Sequence, residues 1–262
     1  MAERETESCG IVRTMVELST VSTEHIERRT PNIEGCYVRM FRALSRFMKG
    51  LFITFEGTEG SGKSTQIPIL AERLRGLGRH VRTLREPGGT PIGEEIRHTL
   101  KHSKANEAMT AETELLLMNA SRAQLVREVI RPALAAGEIV LSDRFYDSTT
   151  AYQGYGRQLD LKMVQSIIDA AVGNTRPDMT LLFVLPYDVA EQRRLIRQPT
   201  LPMSIQRDRI EEAGKAFFER AAKGYQTIAA AEPNRIRTVD AAGSVNQISE
   251  RIWKLVEPLV KK

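Results

Sequence analysis

Residues 57 to 65 read Gly-Thr-Glu-Gly-Ser-Gly-Lys-Ser-Thr and follow directly on the apolar run Leu51-Phe52-Ile53-Thr54-Phe55. A G-x-x-x-x-G-K-[ST] pattern between a strand and a helix is a phosphate-binding loop. Glycines 57, 60 and 62 let the backbone turn tightly and aim its N–H groups inward, as an anion nest. Lys63 then reaches the β- and γ-phosphates of a nucleoside triphosphate, Ser64 is placed to ligate Mg²⁺, and the following helix offers its positive end. The whole run Gly57, Thr58, Glu59, Gly60, Ser61, Gly62, Lys63, Ser64 and Thr65 is the expected ATP cradle. A chance Gly-rich turn is the plainer reading, and the flanking strand and helix argue against it.

Four further segments carry chemistry. Arg85-Glu86-Pro87-Gly88-Gly89-Thr90 follows the second strand pattern, and ligands of open parallel sheets bind beyond the strands' carboxyl ends. A Pro-Gly turn explains its glycines but not the Arg-Glu pair. Ser142-Asp143-Arg144 ends the third apolar run, where an Asp can hold Mg²⁺ through water and an Arg can clamp a phosphate; a structural Asp–Arg pair is the alternative. Ser148-Thr149-Thr150-Ala151-Tyr152-Gln153-Gly154-Tyr155-Gly156-Arg157 reads as a loop able to seat a sugar and base, although a Tyr is often only core. Finally, Arg193, Arg194, Arg197, Arg207, Arg209 and Arg220, interrupted by Pro199 and Pro202, suggest an arginine-rich lid; for most of them a solvated face is the simpler account.

These segments need a scaffold, and from residue 50 onward strand and helix patterns alternate. Strands are expected at 51–56, 80–84, 138–142, 180–185 and 235–239. Helices are expected at 63–77, 91–101, 111–136, 160–172, 188–196, 211–230 and 244–260. Short apolar strands between longer helices indicate βαβ units and a parallel sheet covered on both faces. The expected architecture is α/β, with one domain over 49–262.

Composition agrees. The chain has 262 residues, 41% hydrophobic and 27% charged, which allows a sizeable core in a soluble protein. No run of eighteen apolar residues exists, so no membrane span is expected. The net charge is +5, and residues 1–47 hold seven Arg and seven Glu, so the excess lies in the remainder. No aromatic-plus-basic stripe of the kind that binds single strands is visible, so nucleotide phosphates rather than nucleic acid are the expected partners. Cys9 and Cys36 give neither a disulfide framework nor a metal pattern, which fits a reducing, cytoplasmic location. His25, His80, His98 and His102 have no ligand spacing. Residues 1–48 differ in character, with a short basic amphipathic stretch at 37–47, and are expected to be a poorly ordered extension. Met48, just before the first strand, is a candidate translation start.

Phe55 to Thr65, Arg85-Glu86-Pro87-Gly88-Gly89, Ala120-Ser121-Arg122-Ala123-Gln124, Asp143-Arg144-Phe145, Ala151-Tyr152-Gln153-Gly154 and Arg176-Pro177-Asp178 together resemble bacterial thymidylate kinase, in order and spacing, over roughly residues 50–262. The resemblance implies a P-loop nucleoside monophosphate kinase fold, with a parallel five-stranded sheet flanked by helices. It also implies phosphoryl transfer from ATP with Mg²⁺ to dTMP, giving dTDP, and a homodimer. By the same resemblance Glu59 contacts the deoxyribose 3′-hydroxyl, Arg122 reads a thymine carbonyl, and Arg97 and Arg144 hold the dTMP phosphate. Tyr152 packs against the sugar, and Glu86, Pro87, Met118, Ser148, Thr149 and Gln153 complete the acceptor site. Lys63, Arg144, Asp143 and a lid arginine form the catalytic set, and Ser64 and Asp143 the Mg²⁺ site. Arg193, Arg197 and Arg209 are the lid candidates, Arg197 first.

Three departures from the family stand out. Met118 replaces the usual stacking Phe, the lid between Arg197 and Asp208 is long, and the extension before Met48 has no counterpart. A rival reading is another nucleotide or deoxynucleoside kinase, whose carboxylate base would be Glu56 or Glu86. A second is a non-catalytic nucleotide switch, against which the second set of cationic residues argues.

Overall fold

The computed structural model describes residues 50–197, 209–210 and 213–261. The extension expected over 1–48 and residues 198–208 and 211–212 of the expected lid lie outside these residues.

Among the described residues, five parallel strands form one sheet in the order β2-β3-β1-β4-β5. They are β1 (Leu51–Gly57), β2 (Val81–Arg85), β3 (Ile139–Asp143), β4 (Met179–Val184) and β5 (Ile236–Asp240). Each boundary falls within one residue of the sequence expectation. β1 is central: Phe55 pairs in register with Asp143 of β3 on one side and Leu181 of β4 on the other. Its carboxyl end therefore lies at the point where the chain order reverses, which is where open α/β sheets bind ligands.

The period of two along β1 feeds two cores. Ile53 and Phe55 face a cluster with Ile67, Leu70 and Leu74 of helix α1 (Lys63–Arg75) and with Ile248, Ile252 and Val256 of the last helix, Val245–Val260. Phe52 faces the other side, with Leu115 and Leu125 of helix α3 (Ala111–Leu125), Val140 and Phe145, and Val164 and Ile168 of helix α6 (Leu161–Val172). A sheet covered on both faces makes its central strand a near-continuous apolar run; β1 is buried from Phe52 to Gly57, with Thr54 and Glu56 as its polar exceptions. The start of β1 is pinned by Asp178, whose carboxylate accepts the Phe52 N–H at 2.9 Å.

The remaining helices are α2 (Pro91–Lys101), α4 (Arg131–Ala135), α5 (Tyr146–Thr149), α7 (Tyr187–Arg197), α8 (Lys215–Ala231) and α9, the Val245–Val260 helix. None among the described residues is long and apolar enough to cross a membrane.

Two expectations need correction. The single helix read over 111–136 is α3 and α4 joined by a π-helical turn, Val126–Ile130. Pro132 has no N–H to continue an α-helical ladder, and the wider turn absorbs the break. The segment read as a loop over 148–157 is helical: α5 runs into a π-helical stretch, Thr150–Gly156. Its glycines mislead because they serve packing rather than turning. A Cβ at Gly156 would sit 2.6 Å from Phe217 Cε2, and one at Gly154 would sit 2.7 Å from Leu161 Cδ2.

Candidate active site

The phosphate loop leaves β1 at Gly57, whose φ is +130° and where an added Cβ would lie 2.5 Å from the Phe183 carbonyl oxygen. Only glycine suits that position. Gly62, at φ 95°, starts α1, whose first turn holds no acidic residue. The free N–H groups and positive end of α1 are thus left for an anion. Lys63 folds back across the loop. Its ammonium donates to the carbonyls of Gly57 at 3.0 Å and Thr58 at 2.9 Å, and to Ser61 Oγ at 3.2 Å. Burial and the nearby Arg144 bring its pKa down to about 8. Ser64 and Thr65 are exposed on the first turn.

Arg144 stands opposite. It follows β3 in the left-handed region, φ 70°, an unusual conformation for a bulky residue. Its N–H bonds the Phe55 carbonyl at 2.9 Å, tying it to the end of β1. The guanidinium donates to Glu59 Oε1 at 2.6 Å, Ser148 Oγ at 3.0 Å, the Gly57 carbonyl at 3.1 Å and the Tyr225 hydroxyl at 3.3 Å. It also lies 5.1 Å from the centre of the Tyr152 ring. Burial alone would raise the Glu59 carboxyl, but Arg144, Lys63 and Lys101 outweigh it and hold it at about 2. Asp143, beside Arg144, pairs in register with Phe55. It therefore sits at the same carboxyl end of the strands as the loop.

Beneath Arg144 lies Glu56, fully buried. Its carboxylate accepts from the Phe145 N–H at 2.7 Å, Ser148 Oγ at 2.5 Å and the Tyr225 hydroxyl at 2.9 Å. Burial first, then Asp147, pushes its pKa up to about 7. These bonds brace the segment carrying Arg144 and Ser148.

An open cavity beside Arg144 is lined by Glu59, Glu86, Pro87, Met118, Arg122, Ser148, Thr149, Tyr152 and Gln153. Every acceptor-site residue inferred from sequence therefore meets here except Arg97, which donates to the Pro87 carbonyl at 2.8 Å and does not line the cavity. Arg122 is buried, and its guanidinium is held on all sides. It reaches Glu86 Oε2 through Nε at 2.9 Å and Nη2 at 2.8 Å, Asn119 Oδ1 at 2.8 Å, Thr149 Oγ1 at 2.9 Å and the Phe145 carbonyl at 3.2 Å. A guanidinium has five N–H donors, so Arg122 can meet a base carbonyl only by sharing one. Burial pushes the Glu86 carboxyl above its ordinary range against the pull of Arg122, and its Oε1 has no partner among the described residues. Tyr152 is buried against Phe217 and Tyr225, with ring centroids 5.8 and 6.1 Å apart. Burial raises its hydroxyl to about 12.

The cavity also takes in Lys101 and Ile210, which sequence reasoning did not single out. Lys101 lies one helical turn after Arg97, a spacing that places both on one side of α2. Ile210 had no such signal. Of the lid candidates, Arg193 donates to the Ala241 carbonyl at 3.0 Å. Arg209 pairs with Glu114 at 2.7 Å. Arg197 ends α7, and its side chain lies outside the described residues.

Of the two carboxylates that could have served a deoxynucleoside kinase, Glu56 is committed to three donors, while Glu86 pairs with Arg122 through Oε2 and keeps Oε1 without a partner among the described residues. Residues 55–252 match the family model described as thymidylate kinase. The thymidylate kinase of Chlorobium luteolum is 45% identical over 218 residues, covering 81% of this chain and 99% of that protein. That of Syntrophotalea carbinolica is 48% identical over 202 residues, covering 77% and 93%. The solved thymidylate kinase of Ehrlichia chaffeensis superposes with a TM-score of 0.63 at 29% identity, covering 80% of this chain and 99% of that one. A phosphate loop beside an open, arginine-lined second cavity, in a sequence this similar to those relatives, means that the chain belongs to the thymidylate kinase family.

Proposed function

We infer that this protein transfers the γ-phosphoryl group of ATP to dTMP, giving dTDP, with its cations divided between the two nucleotides as follows. The observation that carries this division is that Lys63 and Arg144 both bond the Gly57 carbonyl, so donor and acceptor cations converge on one turn of backbone. The acceptor is a phosphate monoester, mostly dianionic at neutral pH, and needs no general base. The barrier is the meeting of two polyanions, where unit charges ~4 Å apart repel by about 4 kcal/mol at an effective dielectric near 20. Catalysis is then charge neutralisation and alignment.

On this reading the N–H groups of residues 57–65 and Lys63 hold the ATP phosphates. Arg144, with Arg97 and Ser148, takes the dTMP phosphate, and Arg144 exchanges its Glu59 partner for it. Glu59, released, is free to meet the sugar hydroxyl. Met118 and Tyr152 enclose base and sugar, and Arg122, Thr149 and Gln153 face the base edge. Mg²⁺ usually keeps several waters and needs only one or two protein oxygens beside the phosphates. The Ser64 hydroxyl, exposed at the start of α1, and the Asp143 carboxylate at the neighbouring strand end suit that demand. The ion would neutralise charge on the transferring group. Arg197 is the proposed lid arginine, worth roughly 10³–10⁵ in rate in related transfers.

We also read residues 49–262 as the kinase domain and 1–48 as an appended extension, in a cytoplasmic homodimer. Ile92, Leu116 and Leu161 stand exposed on α2, α3 and α6, helices that pack side by side. Such a patch suits a second copy. The functional test is an acceptor screen with ATP–Mg²⁺ against dTMP, dUMP, dCMP and thymidine, followed by ADP release. Preferred turnover of dTMP is expected, and thymidine as the best acceptor would overturn the assignment.

A further inference from the structure

Glu114 sits in the first turn of α3, is buried, and takes no part in the transfer described above. Its two oxygens collect four donors. Oε1 accepts from Gln153 Nε2 at 2.9 Å and Arg157 Nε at 3.1 Å. Oε2 accepts from Arg157 Nη2 at 2.9 Å and Arg209 Nη1 at 2.7 Å. A carboxylate only accepts, so the Gln153 amide must turn its NH₂ toward Glu114; the reverse would set two acceptors face to face. That leaves the carbonyl end of Gln153 for a ligand in the cavity it lines with Arg122 and Met118. Arg122, with its donors engaged by protein, adds little adaptable hydrogen bonding there.

A fixed acceptor at this place suits the N3–H of an imide pyrimidine, thymine or uracil. It opposes cytosine, whose N3 is itself an acceptor. We propose that Glu114 is a positioning residue for base selection, locking Gln153 in the orientation that admits imide bases and rejects cytosine. This rests on the thymidylate kinase reading and adds the element that enforces its base preference, in a pocket where Met118 offers only a non-directional apolar surface.

Glu114→Gln tests the idea with a sign. Oε2 meets two guanidinium donors and Oε1 meets one beside Gln153, so the new amide keeps its oxygen at the Oε2 position, gives up the 3.1 Å bond from Arg157 Nε, and turns its NH₂ toward Gln153, which flips. The cavity then meets a donor. In the full-length chain, the kcat/KM ratio of dTMP to dCMP should fall by about tenfold or more, the scale of one discriminating hydrogen bond. The dTMP to dUMP ratio, which compares two imides, should stay within about twofold on the same scale. Gln153→Leu should lower the dTMP to dCMP ratio similarly, and adding Glu114→Gln to it should lower the ratio no further. An unchanged ratio with both rates reduced together makes Glu114 merely structural and overturns the proposal, as does additivity in the double variant. If Glu114→Gln does not fold, a wild-type ratio in Gln153→Leu is enough to overturn it. A wild-type enzyme inactive on dTMP would instead strike at the functional reading itself.

Discussion

Burial beside Arg144 leaves Lys63 with a pKa of about 8, so the charge proposed to grip the donor phosphates begins to vanish within an ordinary assay range. The free enzyme loses its ammonium as pH rises through that value. kcat/KM for ATP should therefore fall about tenfold per pH unit above about 8, while kcat at saturating ATP holds to higher pH because bound phosphates favour the charged form. Parallel decline of both would refute this. Arg144→Ala should cost at least about 10³ in kcat/KM for dTMP, since it strips the proposed acceptor cation and leaves Glu59 without its partner; steady-state kinetics with a melting curve checks it. The phosphate-loop residues were legible because a nest of N–H groups demands contiguous sequence. Glu114 was not, since an acid in a helix's first turn ordinarily just answers the helix dipole. Glu56 read as a rival base, whereas its partners make it a brace. Lys101 was not singled out, although it lies one helical turn after Arg97.

At the scale of elements, strand and helix positions were readable because apolar runs and 3.6-residue periods survive in one sequence. The two π-helical stretches were not. The first answers Pro132, which has no N–H for an α-helical ladder; the second packs against a partner distant in the chain, as at Gly156 and Phe217, where local glycine content pointed to a loop. The face of β1 that bears Phe52 has its own consequence for stability. Phe52 is fully buried and meets Phe145 edge-on, ring centroids 4.9 Å apart. Phe52→Ala should lower unfolding free energy by about 3–5 kcal/mol, measured by denaturant titration, and a loss under about 1 kcal/mol would show that the cluster collapses to fill the gap.

For the molecule as a whole, net charge pointed to anionic ligands but not to which. The pairing of a phosphate loop with a second arginine-lined cavity narrowed that to a nucleotide acceptor, and similarity to known kinases supplied the family. Assembly is a separate matter that the single chain encodes only as a patch. Leu116 is 56% exposed on α3. Leu116→Glu should shift a dimer toward monomer in sedimentation without loss of helicity, and a wild-type protein that is monomeric at micromolar concentration would remove the patch's proposed purpose.

The sheet order also bears on how the protein emerges from a ribosome. β1 is made first, yet its two hydrogen-bonded neighbours, β3 and β4, arrive far later, the second only with Met179–Val184. Until then one long apolar edge has nothing to pair with, and an exposed edge of that kind invites other chains. A nascent chain stalled before residue 179 would hold the nucleotide loop on a strand sheathed on one side only, a natural client for a chaperone.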